Sequence, residues 1–129
     1  MREKDFQNLM TKWLKVNETK STAYELKITK GNTLPFSRIE EHQITSLYKA
    51  KYRILVHKIS DMSAGMKPFD CFTLVKAKAY LVIMFYKPRA KKVCYAIDID
   101  DLIDLTLIDK KKSITLDDAK KYGKEICLT

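Results

Sequence analysis

The longest unbroken apolar run in the chain, Ala79 to Tyr86, constrains the fold more than any other segment. Its eight residues have the length of a buried β-strand, whereas a helix that crosses a membrane needs about 20. The charged N-terminus, Met1 to Asp5, leads directly into an amphipathic pattern and does not have the form of a signal peptide. We therefore expect a cytoplasmic protein that contains a buried strand and has no membrane partner.

The first half of the chain predicts a helix, a strand and a second helix. Apolar residues recur at helical spacing at Phe6, Leu9, Met10, Trp13 and Leu14. The segment Thr22–Thr29 alternates in polarity and contains β-branched and aromatic residues, which predicts a strand. The segment from Ser37 to Glu40 has the form of a capping box and predicts a helix that ends near Lys49.

The second half predicts further strands and a last helix. The extended segments are Tyr52–Ile59, Phe69–Val75, Tyr80–Tyr86 and Val93–Ile99. The basic turn from Lys87 to Lys92 joins the last two as a hairpin, and Thr115 begins a helix that runs to about Ile126. Because no repeat or domain boundary interrupts this order, we expect a single domain, residues 1–129, of the mixed α/β class.

Alternation along the predicted strand Thr22–Thr29 places Glu25 and Lys27 on one face. Metal-dependent hydrolysis of a phosphodiester needs carboxylate oxygens that hold the ion. A nearby lysine can lower the pKa of the attacking water or stabilise the charged transition state. Glu-x-Lys is nevertheless a short pattern, and an exposed ion pair on an edge strand is the structural alternative.

The charge balance points to a polyanionic partner. The chain has 25 Lys and Arg against 16 Asp and Glu, a formal net charge of +9 and a pI near 9.4. Such an excess attracts nucleic acid because basic side chains neutralise phosphates and release counterions. A ribosomal protein or a membrane-surface protein would show the same excess, so charge indicates only the class of partner.

The cysteines and histidines do not favour a zinc site. Cys71, Cys94 and Cys127 form no CxxC pair, and we expect them to be buried reduced thiols. Neither His42 nor His57 has a Cys or a second His at ligand spacing. The acidic residues near the last predicted strand are expected to begin a helix and to stay solvated: Asp98, Asp100, Asp101 and Asp104.

Several segments together carry a resemblance to a known family. The segment Tyr24–Thr29, a short loop and the stretch Leu34–Leu47 resemble the Glu-x-Lys strand, loop and Gln-bearing helix of RecU-type Holliday junction resolvases and related phage nucleases. These enzymes belong to the PD-(D/E)xK superfamily. The likeness continues through Tyr80–Tyr86 and Tyr95–Ile103, with one insertion. It implies a restriction-endonuclease-like fold, a mixed central β-sheet flanked by helices, and DNA hydrolysis with Mg²⁺ or Mn²⁺ in a bacterial or phage-infected cell.

The resemblance also implies roles for individual residues. Glu25 and the backbone carbonyl of Leu26 would bind the metal, Lys27 would assist the attacking water, and Gln43 would orient the site. The family places a metal-binding Asp in a hairpin before this strand, but residues 17–23 contain no Asp. Asp70 follows Lys67-Pro-Phe and resembles the family's "Pro-Asp" strand, so it is the candidate replacement ligand. The alternative is that Asp70 only caps a strand.

A further acidic ligand is expected from the N-terminal helix, as in the family. Glu3 and Asp5 are both suitably placed in the first turn. The alternative role of each is to complement the positive end of the helix dipole.

DNA contacts are expected mainly from the basic residues that flank this face. The candidate DNA-binding residues are Lys30, Arg38, Lys58, Ser63, Lys67, Lys87, Arg89, Lys91 and Lys92. Basic side chains of this kind contact phosphates without reading sequence. Because a four-way junction is resolved by two symmetrical cuts, the resemblance implies a homodimer with two active sites.

Two alternative functions remain compatible with the sequence. A phage nuclease that cuts flaps, ends or mismatches would keep every proposed catalytic residue and differ only in the shape of its substrate. A non-catalytic nucleic-acid-binding protein would instead use Glu25 and Lys27 as a structural pair.

Overall fold

The computed structural model describes residues 1–18, 20–60 and 68–129. In these ranges the α-helices are α1 (Glu3–Asn17), α2 (Glu41–Tyr52), α3 (Ile99–Ile103) and α4 (Leu116–Tyr122). A 3₁₀ turn (Phe36–Arg38) precedes α2, and a π-helical turn (Asp104–Ile108) follows α3. Across the same ranges, none of the helices combines the length and apolar character needed to cross a membrane.

In the part of the chain that the structure describes, the strands form three sheets. In chain order they are β1 (Thr22–Thr29), β2 (Thr33–Pro35), β3 (Ile54–Lys58), β4 (Cys71–Val75), β5 (Lys78–Phe85), β6 (Val93–Asp98), β7 (Ser113–Thr115) and β8 (Lys124–Cys127). The main sheet has the order β1-β5-β6-β8, while β2 pairs with β7 and β3 pairs with β4. In the main sheet β1 is parallel to β5, and the other two pairings are antiparallel. The central sheet is therefore mixed.

The apolar run that dominates the sequence forms the interior strand β5. Leu81, Ile83 and Phe85 pack into the cluster beneath α2, α3 and α4. Val82 and Met84 point the other way, into the cluster that α1 closes with Phe6 and Met10. Because successive strand residues face opposite sides, this one strand contributes to both apolar layers. The predicted class is confirmed as mixed α/β, with a central mixed sheet flanked by helices.

The start of α2 differs from the prediction. The capping box is formed by Glu40 and Gln43, not by Ser37 and Glu40. Ser37 lies in the 3₁₀ turn, which Ile39 ends by donating its backbone N–H to the carbonyl of Phe36 at 2.9 Å. Ile39 is extended and buried in the core, so the helix can begin only after it. The helix then continues past the predicted end at Lys49 to Tyr52.

The last predicted helix is too long. Thr115 caps α4 as expected, accepting a hydrogen bond from the backbone N–H of Asp118 at 3.1 Å. The helix ends at Tyr122, and a Cβ at Gly123 would lie 2.6 Å from the carbonyl oxygen of Ala119. The residues after Gly123 instead form β8, which pairs with β6. Pairing with a distant strand overrides the local helical pattern.

The prediction of buried thiols holds for one cysteine. Cys94 is buried, and this burial raises the pKa of its thiol to about 12. Cys71 and Cys127 are exposed and, like Cys94, are free. Cys71 lies at the end of the small β3–β4 sheet and Cys127 on the edge strand β8.

An ion-pair network ties the end of α2 to the start of α3. Lys51 Nζ lies 2.8 Å from Asp98 Oδ1 and 2.5 Å from Asp100 Oδ2, and Tyr52 Oη donates to Asp100 at 2.6 Å. Asp98 also caps α3 by accepting from the N–H of Asp100. Asp98 and Asp100 therefore begin a helix, as predicted, but they are paired with a lysine and are not simply solvated. Hydrogen bonds from Lys51 and Tyr52 lower the pKa of Asp100.

Replacing Ile83 by Ala should lower the free energy of unfolding by about 2–5 kcal/mol, because a fully buried side chain leaves a cavity. Urea unfolding at pH 7 measures this value. The matched control is Val56→Ala on the small β3–β4 sheet, where the side chain is 57% exposed and the expected change is within about 0.5 kcal/mol. Equal losses in the two variants would contradict the assignment of β5 to the core.

Replacing Lys51 by Met should lower the free energy of unfolding by about 1 kcal/mol at pH 7, because the network is partly exposed and screened by solvent. Since Asp100 has a lowered pKa in the folded protein, this contribution is present above the ordinary carboxyl pKa and is lost as the pH falls through the lowered value. The difference between wild type and variant should therefore shrink in acid. Lys49→Met on the same helix, at an exposed position, is the control. A difference that persists unchanged in acid would contradict the network.

Candidate active site

Strand β1 presents Glu25 and Lys27 toward α2. The neighbouring residues Tyr24, Leu26 and Ile28 pack on the opposite face, against the cluster closed by α1. Lys27 Nζ lies 3.7 Å from Glu25 Oε1, and the two side chains are only 13% and 25% exposed. The pair is thus enclosed to a degree that is unusual for an ion pair on an edge strand.

The first turn of α2 holds Glu25 from the other side. Gln43 Nε2 donates a hydrogen bond of 2.8 Å to Glu25 Oε1. The same amide accepts, through its Oε1, the backbone N–H of Glu40 at 3.0 Å. Gln43 is therefore fixed by the helix cap and directed at the carboxylate, so the three side chains that the sequence grouped together meet at one oxygen atom.

The environment of Glu25 disfavours its charged form. Burial is the main cause that raises the pKa of Glu25; Lys27 opposes this effect, and the negative charge of Glu3 adds to it. Glu3 reaches this site because α1 packs beside β1. A groove of about 380 Å³ separates the two elements, and Glu3, Gln7, Glu25 and Leu26 are among its lining residues.

Of the two acidic residues in the first turn of α1, Glu3 is the one that lines this groove with Glu25. Asp5 instead accepts the backbone N–H of Arg2 at 3.1 Å and completes the capping box of the helix. That hydrogen bond lowers the pKa of Asp5. The geometry therefore separates the two residues: Asp5 stabilises the helix start, and Glu3 lines the groove that also contains Glu25.

The carbonyl of Leu26 points into the open edge of the main sheet. The carbonyl of Thr29 accepts from Tyr86 N–H on the β5 side at 2.7 Å. The carbonyl of Ile28 points away from β5 and accepts from Arg38 Nη2 at 2.8 Å. Because successive carbonyls in a strand point to opposite edges, the carbonyl of Leu26, two residues before Ile28, points in the same direction as that of Ile28. The Leu26 carbonyl thus faces the same side as the groove that Glu3 lines.

The structure places Asp70 directly before β4. Its backbone carbonyl accepts the N–H of Ile59 at 2.8 Å. The cavity between β1, α2 and the β3–β4 hairpin is lined by Phe72 and Leu74, which follow Asp70, and Asp70 is not among its described lining residues. Within residues 1–18, 20–60 and 68–129, no three His, Cys, Asp or Glu side chains are grouped so that they could hold a metal ion.

The candidate DNA-binding residues divide into two described groups and a remainder. Lys30 and Arg38 line a cavity of about 410 Å³ together with Tyr86, and Lys92 Nζ lies 4.6 Å above the Tyr86 ring. This cluster lies where the parallel strands β1 and β5 end. Four other candidates lie at exposed positions: Lys58, Lys87, Arg89 and Lys91. The other two, Ser63 and Lys67, lie outside the described residues.

Comparisons of the chain with protein-family models, curated proteins and solved structures gave no match. The chemistry of the site therefore follows from its own residues. Glu3, Glu25 and Leu26 all line one groove, and together they offer two carboxylates and a backbone carbonyl as oxygen donors. This donor set fits Mg²⁺, which is usually held by one or two carboxylates and keeps several waters.

Sequence reasoning missed two features of the site. The choice of Glu3 over Asp5 was left open, because both lie in the same helical turn and only the packing of α1 on β1 separates them. The aromatic wall formed by His57 and Phe72 near Glu25 was also missed. Strand alternation in the β3–β4 hairpin indicates that these rings are neighbours, but not that they face β1.

Replacing Glu3 by Gln should lower the pKa of Glu25, because a negative charge that disfavours ionisation is removed. NMR titration of the side-chain carboxyl carbons, without added divalent metal, measures the change. Asp5→Asn is the matched control and should leave the pKa of Glu25 unaltered, since Asp5 is engaged by Arg2. If both substitutions shift the pKa equally, Glu3 does not have the special position described above.

Proposed function

We propose that the protein is a Mg²⁺- or Mn²⁺-dependent DNA endonuclease with a restriction-endonuclease-like fold. Its proposed substrate is branched DNA, with the four-way junction as the leading candidate. The observation that carries the proposal is the convergence of Lys27 and Gln43 on one oxygen of Glu25. A purely structural ion pair on the surface would not need to be enclosed, and it would not need the hydrogen bond from the Gln43 amide.

The chain's own residues account for the main requirements of this reaction. Both contacts to Glu25 are made to Oε1. Glu25, Glu3 and the Leu26 carbonyl are the groups that would hold a divalent cation. A metal ion held there would act as a Lewis acid toward the phosphate and would activate water. Lys27 contributes a fixed positive charge that stabilises the negative charge developing on the phosphate. Gln43 acts as a positioning residue because it fixes the orientation of the Glu25 carboxylate.

Glu3 is the preferred second carboxylate of the proposed site. In the family that the sequence resembles, a metal-binding Asp comes from a hairpin before the Glu-x-Lys strand. Here β1 is an edge strand of the main sheet and follows α1 after a short connection. The groove beside Glu25 is lined by Glu3 from α1. Asp70 remains a candidate ligand, and its contribution is tested separately below.

DNA as the partner is supported by charge. The net charge of +9 favours a polyanion, and Lys30, Arg38 and Lys92 gather at the ends of the parallel strands. Such contacts position the phosphate backbone without reading bases, which suits recognition of DNA shape. Two cuts in a symmetrical junction require two active sites, so a homodimer is part of the proposal.

A non-catalytic DNA-binding protein is the second candidate function. It is favoured by the close Glu25–Lys27 pair and by the lack of a three-acid cluster in the part of the chain that the structure describes. In that case, removing the charge of Glu25 would leave DNA binding unchanged and there would be no cleavage to lose.

Lys27→Ala and Glu25→Gln should each reduce junction cleavage by about 100-fold or more, because one loses the fixed charge and the other the metal ligand. The measurement is the single-turnover rate on a labelled four-way junction with Mg²⁺, compared with EDTA and with linear and flapped DNA. Lys20→Ala, at an exposed position just before β1, is the matched control and should cleave like wild type. Wild-type rates for Lys27→Ala would overturn the proposal.

Two further variants in the same assay separate the candidate acidic ligands. Glu3→Gln should reduce cleavage and raise the Mg²⁺ concentration needed for half-maximal rate. If Asp70→Asn has that effect and Glu3→Gln does not, Asp70 and not Glu3 completes the site. If the wild-type protein cleaves flaps or ends faster than junctions, the nuclease proposal is retained and the proposed substrate changes.

A further inference from the structure

A cavity of about 460 Å³ lies directly beside Glu25, between β1, α2 and the β3–β4 hairpin. Its volume falls within the range of about 300–1,000 Å³ that is usual for small-ligand sites. The hairpin supplies one wall through Leu55, His57, Phe72 and Leu74, which register places as the cross-strand pairs Leu55–Leu74 and His57–Phe72. This cavity is called the base pocket below.

The wall of the base pocket ends in two aromatic rings. The rings of His57 and Phe72 lie 5.2 Å apart between centroids, with an angle of 39° between their planes. Phe72 remains 41% exposed although it faces the interior side of the hairpin. An aromatic face that lines a cavity and is open to solvent can stack on another flat ring.

The opposite rim of the base pocket is polar. The first turns of α2 contribute His42, Gln43 and Ser46, and β1 contributes Glu25. A ligand that fits both sides has a flat apolar face for the Phe72 wall and hydrogen-bonding groups at its edge. A nucleobase has this combination, and the net charge of +9 favours a ligand carried on a phosphate backbone. An aliphatic ligand could form no hydrogen bond with this rim.

We propose that the base pocket receives one unpaired nucleobase of a DNA strand whose phosphate lies at Glu25 and Lys27. This inference rests on the proposed nuclease function and narrows its substrate. A base can enter only if it is unpaired or already unstacked, because extracting it from a duplex costs a few kcal/mol. The enzyme would therefore prefer DNA whose cleaved phosphate lies beside a branch point, gap or loop over continuous duplex.

The first test is a binding measurement that does not depend on cleavage. A short single-stranded oligonucleotide that carries the fluorescent base 2-aminopurine is titrated with the full-length protein in EDTA. Stacking in the base pocket should quench the fluorescence. Phe72→Ala should abolish the quenching and weaken binding by about tenfold or more, the effect of losing one stacked base.

The matched control is Val75→Ala on the same strand. Val75 is 54% exposed and is not among the described residues that line the base pocket, so this variant should bind and quench like wild type. Phe72→Trp keeps an aromatic face and should retain binding. Equal affinities for Phe72→Ala and Val75→Ala would overturn the proposal.

An abasic oligonucleotide with the same phosphates separates base binding from phosphate binding without any substitution in the protein. Wild type should bind it about tenfold or more weakly than the intact oligonucleotide. If wild type binds the two equally, no base is recognised and the base pocket is rejected, even if Phe72→Ala fails to fold.

The outcomes also distinguish this inference from the nuclease proposal. If quenching depends on Phe72 but no DNA is cleaved with Mg²⁺, the nuclease function fails and the base pocket stands as a binding site. If cleavage depends on Lys27 but neither affinity nor quenching depends on Phe72, the nuclease proposal is supported and the proposal of a base-binding pocket is rejected.

Discussion

The parallel pairing of β1 with β5 is the constraint on which the rest of the structure depends. Parallel neighbours cannot be joined by a tight turn, so the chain must cross one face of the sheet between them. That crossover contains α2 and the β3–β4 hairpin. It places Gln43 over Glu25 and the aromatic wall beside it. The topology that buries the apolar strand therefore also assembles the candidate active site.

The same packing gives the site its electrostatic character. Glu25 and Lys27 are enclosed by the crossover on one side, and α1 brings Glu3 to the neighbouring groove. Burial, above all, and the negative charge of Glu3 raise the pKa of Glu25, while Lys27 opposes them. A bound cation stabilises two neighbouring carboxylates in their charged form, because its positive charge offsets the repulsion between them.

Sequence patterns predicted the local elements well where the pattern and the tertiary contacts agree. The bounds of β1, Thr22–Thr29, are those predicted, because alternation and a flanking polar segment define them. The capping box was misplaced, since Ile39 is buried in the core and delays the start of α2. The strand β8 was read as helix because its neighbour in the sheet, β6, lies far away in the chain.

The sequence by itself determined which face of β1 carries Glu25 and Lys27, because strand alternation is fixed by backbone geometry. It also determined that the apolar run Ala79–Tyr86 forms a buried strand. Only the tertiary structure decided that Glu3 and not Asp5 lies beside Glu25, and that the rings of His57 and Phe72 line a cavity there. These relations depend on how elements distant in the chain pack against each other, and local sequence patterns do not predict that packing.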